Sequence, residues 1–381
     1  MRELVIVIAD LYLEPEPAAR TAAPPISGHG PDAGAAPGIQ HLARFGDETT
    51  LPEGWRAWVA RWLGLPQHAC EPPASIAAAA LADAPAAPAD VPAARPGAPA
   101  ARSDARAAFT GERADRAVWI ATPMHLIAGL TSVHLDRRSV LRLSGAELAE
   151  LTASFRDTFR GSGFDLDPLE SGELLLSGPP QPASSTATEP ARMLLTSIAE
   201  ALPAGQGAPA LRRLSSEIEM WLHDHPVNDA RVRRGAAPVA TLWLWGGGAP
   251  PAQRTAGARE TAAAAFGSDA YVRGLWRLAG GESRPMPVDW AAMIGEPGAQ
   301  RALGVVEVAE LLHANTSWPL ARALAEVDRR LISPALAALR RGELQRLVLL
   351  ANDRSHIVRA ADRWRLWRRL RTVRGALEAL A

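Results

Sequence analysis

The run Val5-Ile6-Val7-Ile8 carries no polar side chain on either face of the strand it would form. Side chains alternate between the two faces of a strand, so such a run demands apolar cover on both, as in a parallel sheet with helices above and below. Later segments repeat the pattern. Pro238 to Trp245, Leu303 to Leu311 and Leu347 to Leu350 read as further strands, and helical spacing falls at 190–202, 209–224, 273–278 and 317–341. Strands alternating with helices predict an α/β fold with a mostly parallel sheet flanked by helices. Trp55, Trp58, Val59 and Trp62 form a helical stripe expected to face its core.

The alternation is interrupted twice. Residues 71–114 are rich in Ala, Pro and Gly, and Pro85, Pro88, Pro92, Pro96 and Pro99 forbid a helix of any length, so the stretch reads as a poorly ordered linker. Within 115–180, two strands precede a helix opened by the capping box Ser144–Glu147, and short strands follow it at 164–169 and 173–176. This predicts an inserted α+β subdomain, leaving 1–70 and 190–381 as the α/β core.

Composition excludes several chemistries. The 381 residues hold 41 basic and 41 acidic side chains, so net charge gives no drive towards nucleic acid or a membrane. Every basic residue is Arg, which removes Schiff-base and phosphate-loop lysine chemistry. Cys70 is the single cysteine, so no intramolecular disulfide forms. No apolar run has the length of a membrane span, and the N-terminal one is too short for a secretion signal and ends in Asp10. A cytoplasmic protein with no membrane partner is expected. Phosphate-loop, dinucleotide-fingerprint, paired Cys-x-x-Cys and Gly-x-Ser-x-Gly motifs are all absent.

Open α/β sheets bind ligands at the carboxyl ends of their strands. That rule singles out Asp10, the glycines Gly246, Gly247 and Gly248, the group Glu307, Glu310 and His313, and Asn352-Asp353. An acid in such a place serves as a metal ligand or caps a neighbouring helix. Glu219 and His223 share a helix face and His225 follows them; the cluster suits a divalent metal, or simply collects cap residues before Pro226. Arg231, Arg233 and Arg234 match a phosphate or carboxylate, or form a solvated face. The tryptophans and arginines of 363–371 fit a docked helix without further assumption; nucleic-acid binding through them is the less economical reading.

The segment His225-Pro226-Val227-Asn228-Asp229-Ala230-Arg231, with Trp243-Leu244-Trp245-Gly246-Gly247-Gly248 after it, resembles a stretch of the archaeal-type, cofactor-independent phosphoglycerate mutases. It is similar also to their bacterial relatives, the Rpf-type regulatory proteins, in which a stretch like Asp10-Leu11-Tyr12-Leu13 follows the first strand. The resemblance implies an alkaline-phosphatase-like core, two divalent metals held by Asp and His, and a serine that carries the phosphoryl group. Asp10 matches a first-strand metal ligand. The second acid beside it is missing, no Ser-Asp nucleophile segment precedes residue 70, and Asn352-Asp353-Arg354-Ser355-His356 replaces the expected C-terminal ligand patterns. The expectation is a retained fold with a degenerate metal site: a binding or regulatory module needing no cofactor, with His225, Asn228, Arg231 and Gly246 to Gly248 facing a small phosphorylated or carboxylate ligand. The alternative is an active metal-dependent mutase or phosphatase with a rearranged site, in which Asp10, His223, Asp353 and His356 hold Mn, Zn or Mg.

Overall fold

The computed structural model describes residues 3–9, 11, 36–82, 116–129, 133–136, 138–180, 187–193, 198–204, 207–249, 263–295, 298–315 and 318–364. Among them, β1 (Glu3–Ala9) is the middle of a seven-stranded sheet. It pairs in parallel with β11 (Arg301–Glu307) and β12 (Arg346–Ala351). Parallel β9 (Ala263–Phe266) and β10 (Ser283–Arg284) extend one side, while antiparallel β13 (Arg354–Arg359) and β2 (Asp47–Thr50) extend the other. The fold is therefore mixed α/β with a mostly parallel central sheet flanked by helices.

Both faces of β1 are covered, as its apolar run requires. Leu4, Ile6 and Ile8 pack with Ile39, Leu324, Leu336 and Leu339 on one side. Val5 and Val7 meet Trp55, Val59, Leu275 and Trp276 on the other. The tryptophan stripe of the helix Gly54–Leu63 thus belongs to the core.

A second sheet holds β6 (Asp165–Pro168), β7 (Leu174–Gly178), β3 (Ala117–Met124) and β8 (Thr241–Gly248), in that order and all antiparallel. Here the structure departs from the sequence reading. β8 lies beside β3, so the inserted unit reaches to Gly248 and the strand ending in the glycines is not part of the parallel sheet. The confusion has a physical cause, because this sheet is also buried on both faces. Leu242 and Leu244 pack under the helices Gly145–Thr158 and Ala208–His223, while Trp243 and Trp245 face Ala74, Ala77 and Ala270. A continuous apolar strand looks alike in either sheet.

The assigned linker also differs from expectation. Pro73–Ala82 is a helix, with Ala74, Ile76, Ala77 and Ala78 fully buried. Its only proline occupies the first turn, where no backbone donor is lost, and the breaking prolines begin beyond it. Residues 83–115, the remainder of that stretch, lie outside the described residues. Leu303 to Leu311 splits into β11 and the helix Val308–Ala314. The capping box is present, with Ser144 and Glu147 exchanging hydrogen bonds.

Candidate functional site

Two regions compete as the functional site, and the first is the motif 225–248. His225 caps the helix Pro226–Arg233, its Nδ1 accepting from the Val227 amide at 3.2 Å. Nδ1 is therefore unprotonated, and burial holds the imidazole below its usual pKa. The ring packs edge-on against Trp221 with centroids 5.0 Å apart. Asn228 donates to the carbonyls of Leu222 and Val239 at 2.7 and 2.8 Å and accepts from the Val239 amide at 2.7 Å. Arg231 donates to the Ala237 carbonyl and to Glu147, each at 2.7 Å. Burial alone would raise the Glu147 carboxyl; hydrogen bonds from the Ser144 amide, Arg231, the Ser144 hydroxyl and Arg234 outweigh it and hold the pKa at about 2. Asn228 and Arg231 thus brace the turn into β8, while His225 braces it through Nδ1 alone and its Nε2 is buried with no hydrogen-bond partner among the described residues.

The glycines are explained by close packing. A Cβ on Gly247 would stand 2.3 Å from the Trp119 indole nitrogen, and one on Gly248 would stand 2.6 Å from Pro72 and Ser75. Gly246 has a φ of +64° and faces Pro73. The run lets the helix Pro73–Ala82 sit against the end of β8.

Three of the four proposed metal ligands are described, and they are not grouped. His223 is exposed on its helix, with 84% of the side chain in solvent. Asp353 lies in the turn between β12 and β13 and holds Arg192 through two hydrogen bonds of 2.9 and 2.5 Å. His356 is buried in β13, paired with Leu349 and Glu48. Asp10 lies outside the described residues. Among the described residues no three His, Cys, Asp or Glu side chains are grouped to hold a metal ion, so the donor set there does not fit a two-metal centre. The Arg-Trp segment 365–371 is likewise outside them.

The second region lies at the carboxyl ends of β1 and β11, where the strand-end rule points. Ala9, Glu307, Arg56, Thr122, Arg142, Glu173, Glu189, Trp245, Asp269 and Tyr271 surround a cavity of about 50 Å³ between the two sheets. Each polar wall residue is placed by an identifiable local cause. Gly54, at φ +77°, opens the helix that carries Arg56. Asp269 is the N-cap of the helix Ala270–Leu278, accepting from the Val272 amide at 2.9 Å. Thr122 on β3 donates to Glu173 at 2.6 Å and accepts from the Trp245 indole on β8 at 2.8 Å.

Among the described residues, two arginines and four acids meet here. Arg56 pairs with Glu189 at 2.7 Å, its guanidinium lying 4.5 Å from the centre of Trp55 and 5.2 Å from that of Trp245. Arg142 pairs with Glu307. Burial pushes the Glu173 carboxyl up, against the Thr122 hydrogen bond and the charge of Arg142, and nearby Asp269 pushes it further. Asp269 is raised by its own burial, against the charge of Arg56. Both shifts disfavour the charged form of these carboxyls.

Glu307 was legible from its strand end. Arg56, Arg142, Glu173 and Glu189 carry no local signal, and Asp269 shows itself only as a cap residue before a helix.

No family model matches the chain. The 2,3-bisphosphoglycerate-independent phosphoglycerate mutase of Methanothrix thermoacetophila is 28% identical over 180 residues, which cover 43% of this chain and 45% of that protein. A probable 2,3-bisphosphoglycerate-independent phosphoglycerate mutase of Geobacter sulfurreducens is 40% identical over 55 residues, 14% of each chain. The chain is a distant homologue of these mutases. The similarity spans less than half of either relative's length. Among solved structures, the cofactor-independent phosphoglycerate mutase of Thermoplasma acidophilum aligns over 94% of this chain and 89% of its own, at 16% identity and a TM-score of 0.38. The PH0037 protein of Pyrococcus horikoshii aligns over 99% and 92%, at 13% and 0.45. No helix among the described residues is long and apolar enough to cross a membrane.

Proposed function

We propose that this mutase-like chain binds a small phosphorylated or carboxylate ligand in the strand-end cavity and does not catalyse two-metal phosphoryl transfer. One observation carries the reading: among the described residues, guanidinium groups, not a cluster of metal donors, neutralise the acids at this end of the sheet. Two close cations need several carboxylates and imidazoles to offset their charge. Here Glu307 and Glu189 are already engaged by Arg142 and Arg56. Guanidinium forks match phosphate and carboxylate geometry, so a ligand anion can replace a protein carboxylate on either arginine. The seat is therefore placed in the cavity and not at Asn228 and Arg231, whose polar atoms serve the brace.

A binding and regulatory role follows from such a site. The test combines two measurements on the purified chain: a phosphoglycerate mutase assay with Mn, Zn or Mg supplied, and thermal unfolding with inorganic phosphate. Expected are no metal-dependent turnover and a rise in Tm with phosphate that Arg56→Gln abolishes. Metal-dependent isomerisation would establish the alternative, an active enzyme with a rearranged site.

A further inference from the structure

Beside the cavity lies a larger cleft of about 400 Å³, and the two share Arg56, Glu189 and Tyr271 as a common wall. Its floor and sides include Trp55, Tyr271, Pro72 and Pro73, with Cys70 and Arg192 also in its lining. Glu189 reaches both guanidinium groups of this wall, Arg56 at 2.7 Å and Arg192 at 3.7 Å. A carboxylate so placed occupies the position that a ligand anion bound to Arg56 would take.

The two volumes divide the work of recognition. The inner cavity has room for only a few waters, at about 10 to 15 Å³ each, and suits a single phosphoryl group. The outer cleft falls in the range of sites that enclose a whole small molecule, about 300 to 1,000 Å³. The half-buried Pro72 and Pro73, with the edges of the buried Trp55 and Tyr271 behind them, give it apolar surface that suits a flat group.

Resting on the proposed anion seat, we infer that the natural ligand is an organic phosphate with a ring-sized organic group, larger than phosphoglycerate. Its phosphate displaces Glu189 from Arg56, and its ring fills the cleft beside Pro72, Pro73 and Cys70. A three-carbon acid leaves most of that cleft to water.

Cys70 is exposed and is the chain's single cysteine, so its alkylation reports directly on the cleft. The experiment follows maleimide labelling of the full chain by mass spectrometry, with inorganic phosphate, 3-phosphoglycerate, adenosine, adenosine monophosphate or phenyl phosphate at equal concentration. Expected is at least fivefold slower labelling with one of the two ring phosphates, and less than twofold slowing with the other three compounds. Less than fivefold protection by both ring phosphates overturns the inference, as does equal protection by 3-phosphoglycerate or by adenosine. Thermal unfolding with inorganic phosphate separates the two levels. A Tm rise without ring-phosphate protection leaves the anion seat standing and removes the ring-sized ligand. Neither effect removes both.

Discussion

Arg142, from the inserted unit, forms an ion pair with Glu307 at the end of β11, and this contact joins the small sheet to the large one at the cavity wall. Arg56–Glu189, Arg192–Asp353 and Arg273–Glu170 cross the same boundary. Glu307 has only 10% of its side chain exposed, so removing its partner leaves a poorly solvated charge. Arg142→Gln is expected to destabilise the chain by about 3 kcal/mol, and the double variant with Glu307→Gln by less than the sum. Urea unfolding of the four-member cycle measures the coupling; strict additivity would show that the pair holds nothing together.

Glu189 competes with any anion for Arg56. Glu189→Gln keeps the shape and removes the charge, so phosphate affinity should rise, by about tenfold if the competition is worth about 1.4 kcal/mol. Isothermal titration with inorganic phosphate reads this directly. Weaker binding in the variant would mean that Glu189 helps to hold the seat.

Glu173 and Asp269 give the fold a pH signature. Both carboxyls are raised by burial above their ordinary values of 4.5 and 3.8. An acid with a raised folded pKa contributes stability that is complete below the unfolded value and is lost as pH climbs through the folded one. Glu173→Gln with Asp269→Asn should therefore flatten the stability profile above pH 4.5, with the gain over the parent growing as pH rises. Tm measured from pH 4 to 8 tests it, and parallel curves would show both groups ionised in the folded chain.

The brace around Asn228 predicts structure without binding. Asn228→Ala leaves the Val239 amide and two buried carbonyls without their partner, at a cost of about 2 to 3 kcal/mol. Phosphate affinity, measured where the variant is folded, should stay within twofold. A selective loss of affinity would return the ligand to the 225–231 segment.

Gly274 marks the contact between the helices Pro73–Ala82 and Ala270–Leu278. A Cβ there would stand 1.9 Å from the Ile76 carbonyl oxygen. Gly274→Ala must push the two helices apart, destabilising the chain by about 3 kcal/mol. Because Asp269 and Tyr271 stand at the start of the second helix, the variant should also lose its response to phosphate. A variant as stable as the parent would contradict the helix assigned to 73–82.

How much of this was legible depended on how local each cause is. The apolar run of β1 and the Ser144–Glu147 capping box are decided within a few residues, and both appear as read. The partner of β8 is decided by its neighbour β3, which no pattern inside Thr241–Gly248 reveals. The helix Pro73–Ala82 was hidden by its composition, since alanine without an amphipathic stripe looks like the proline-broken stretch after it. The cavity was hardest to foresee: Arg56 and Glu189 stand 133 positions apart and meet only because two sheets face each other. Residues with strong local signals, such as His225 and Asn228, turned out to secure a turn.

The chain leaves the large sheet through the helix Pro73–Ala82 and re-enters it at β9, which leads to the helix Ala270–Leu278, and these two helices lie against each other at Gly274 and Ile76. The outgoing and returning stalks of the excursion are thus pinned at one place. Mechanically, the small sheet rests on this helix pair as on a shared keel, because Trp243 and Trp245 are buried against Ala74, Ala77 and Ala270, so a shift of either helix is felt at both sheets at once.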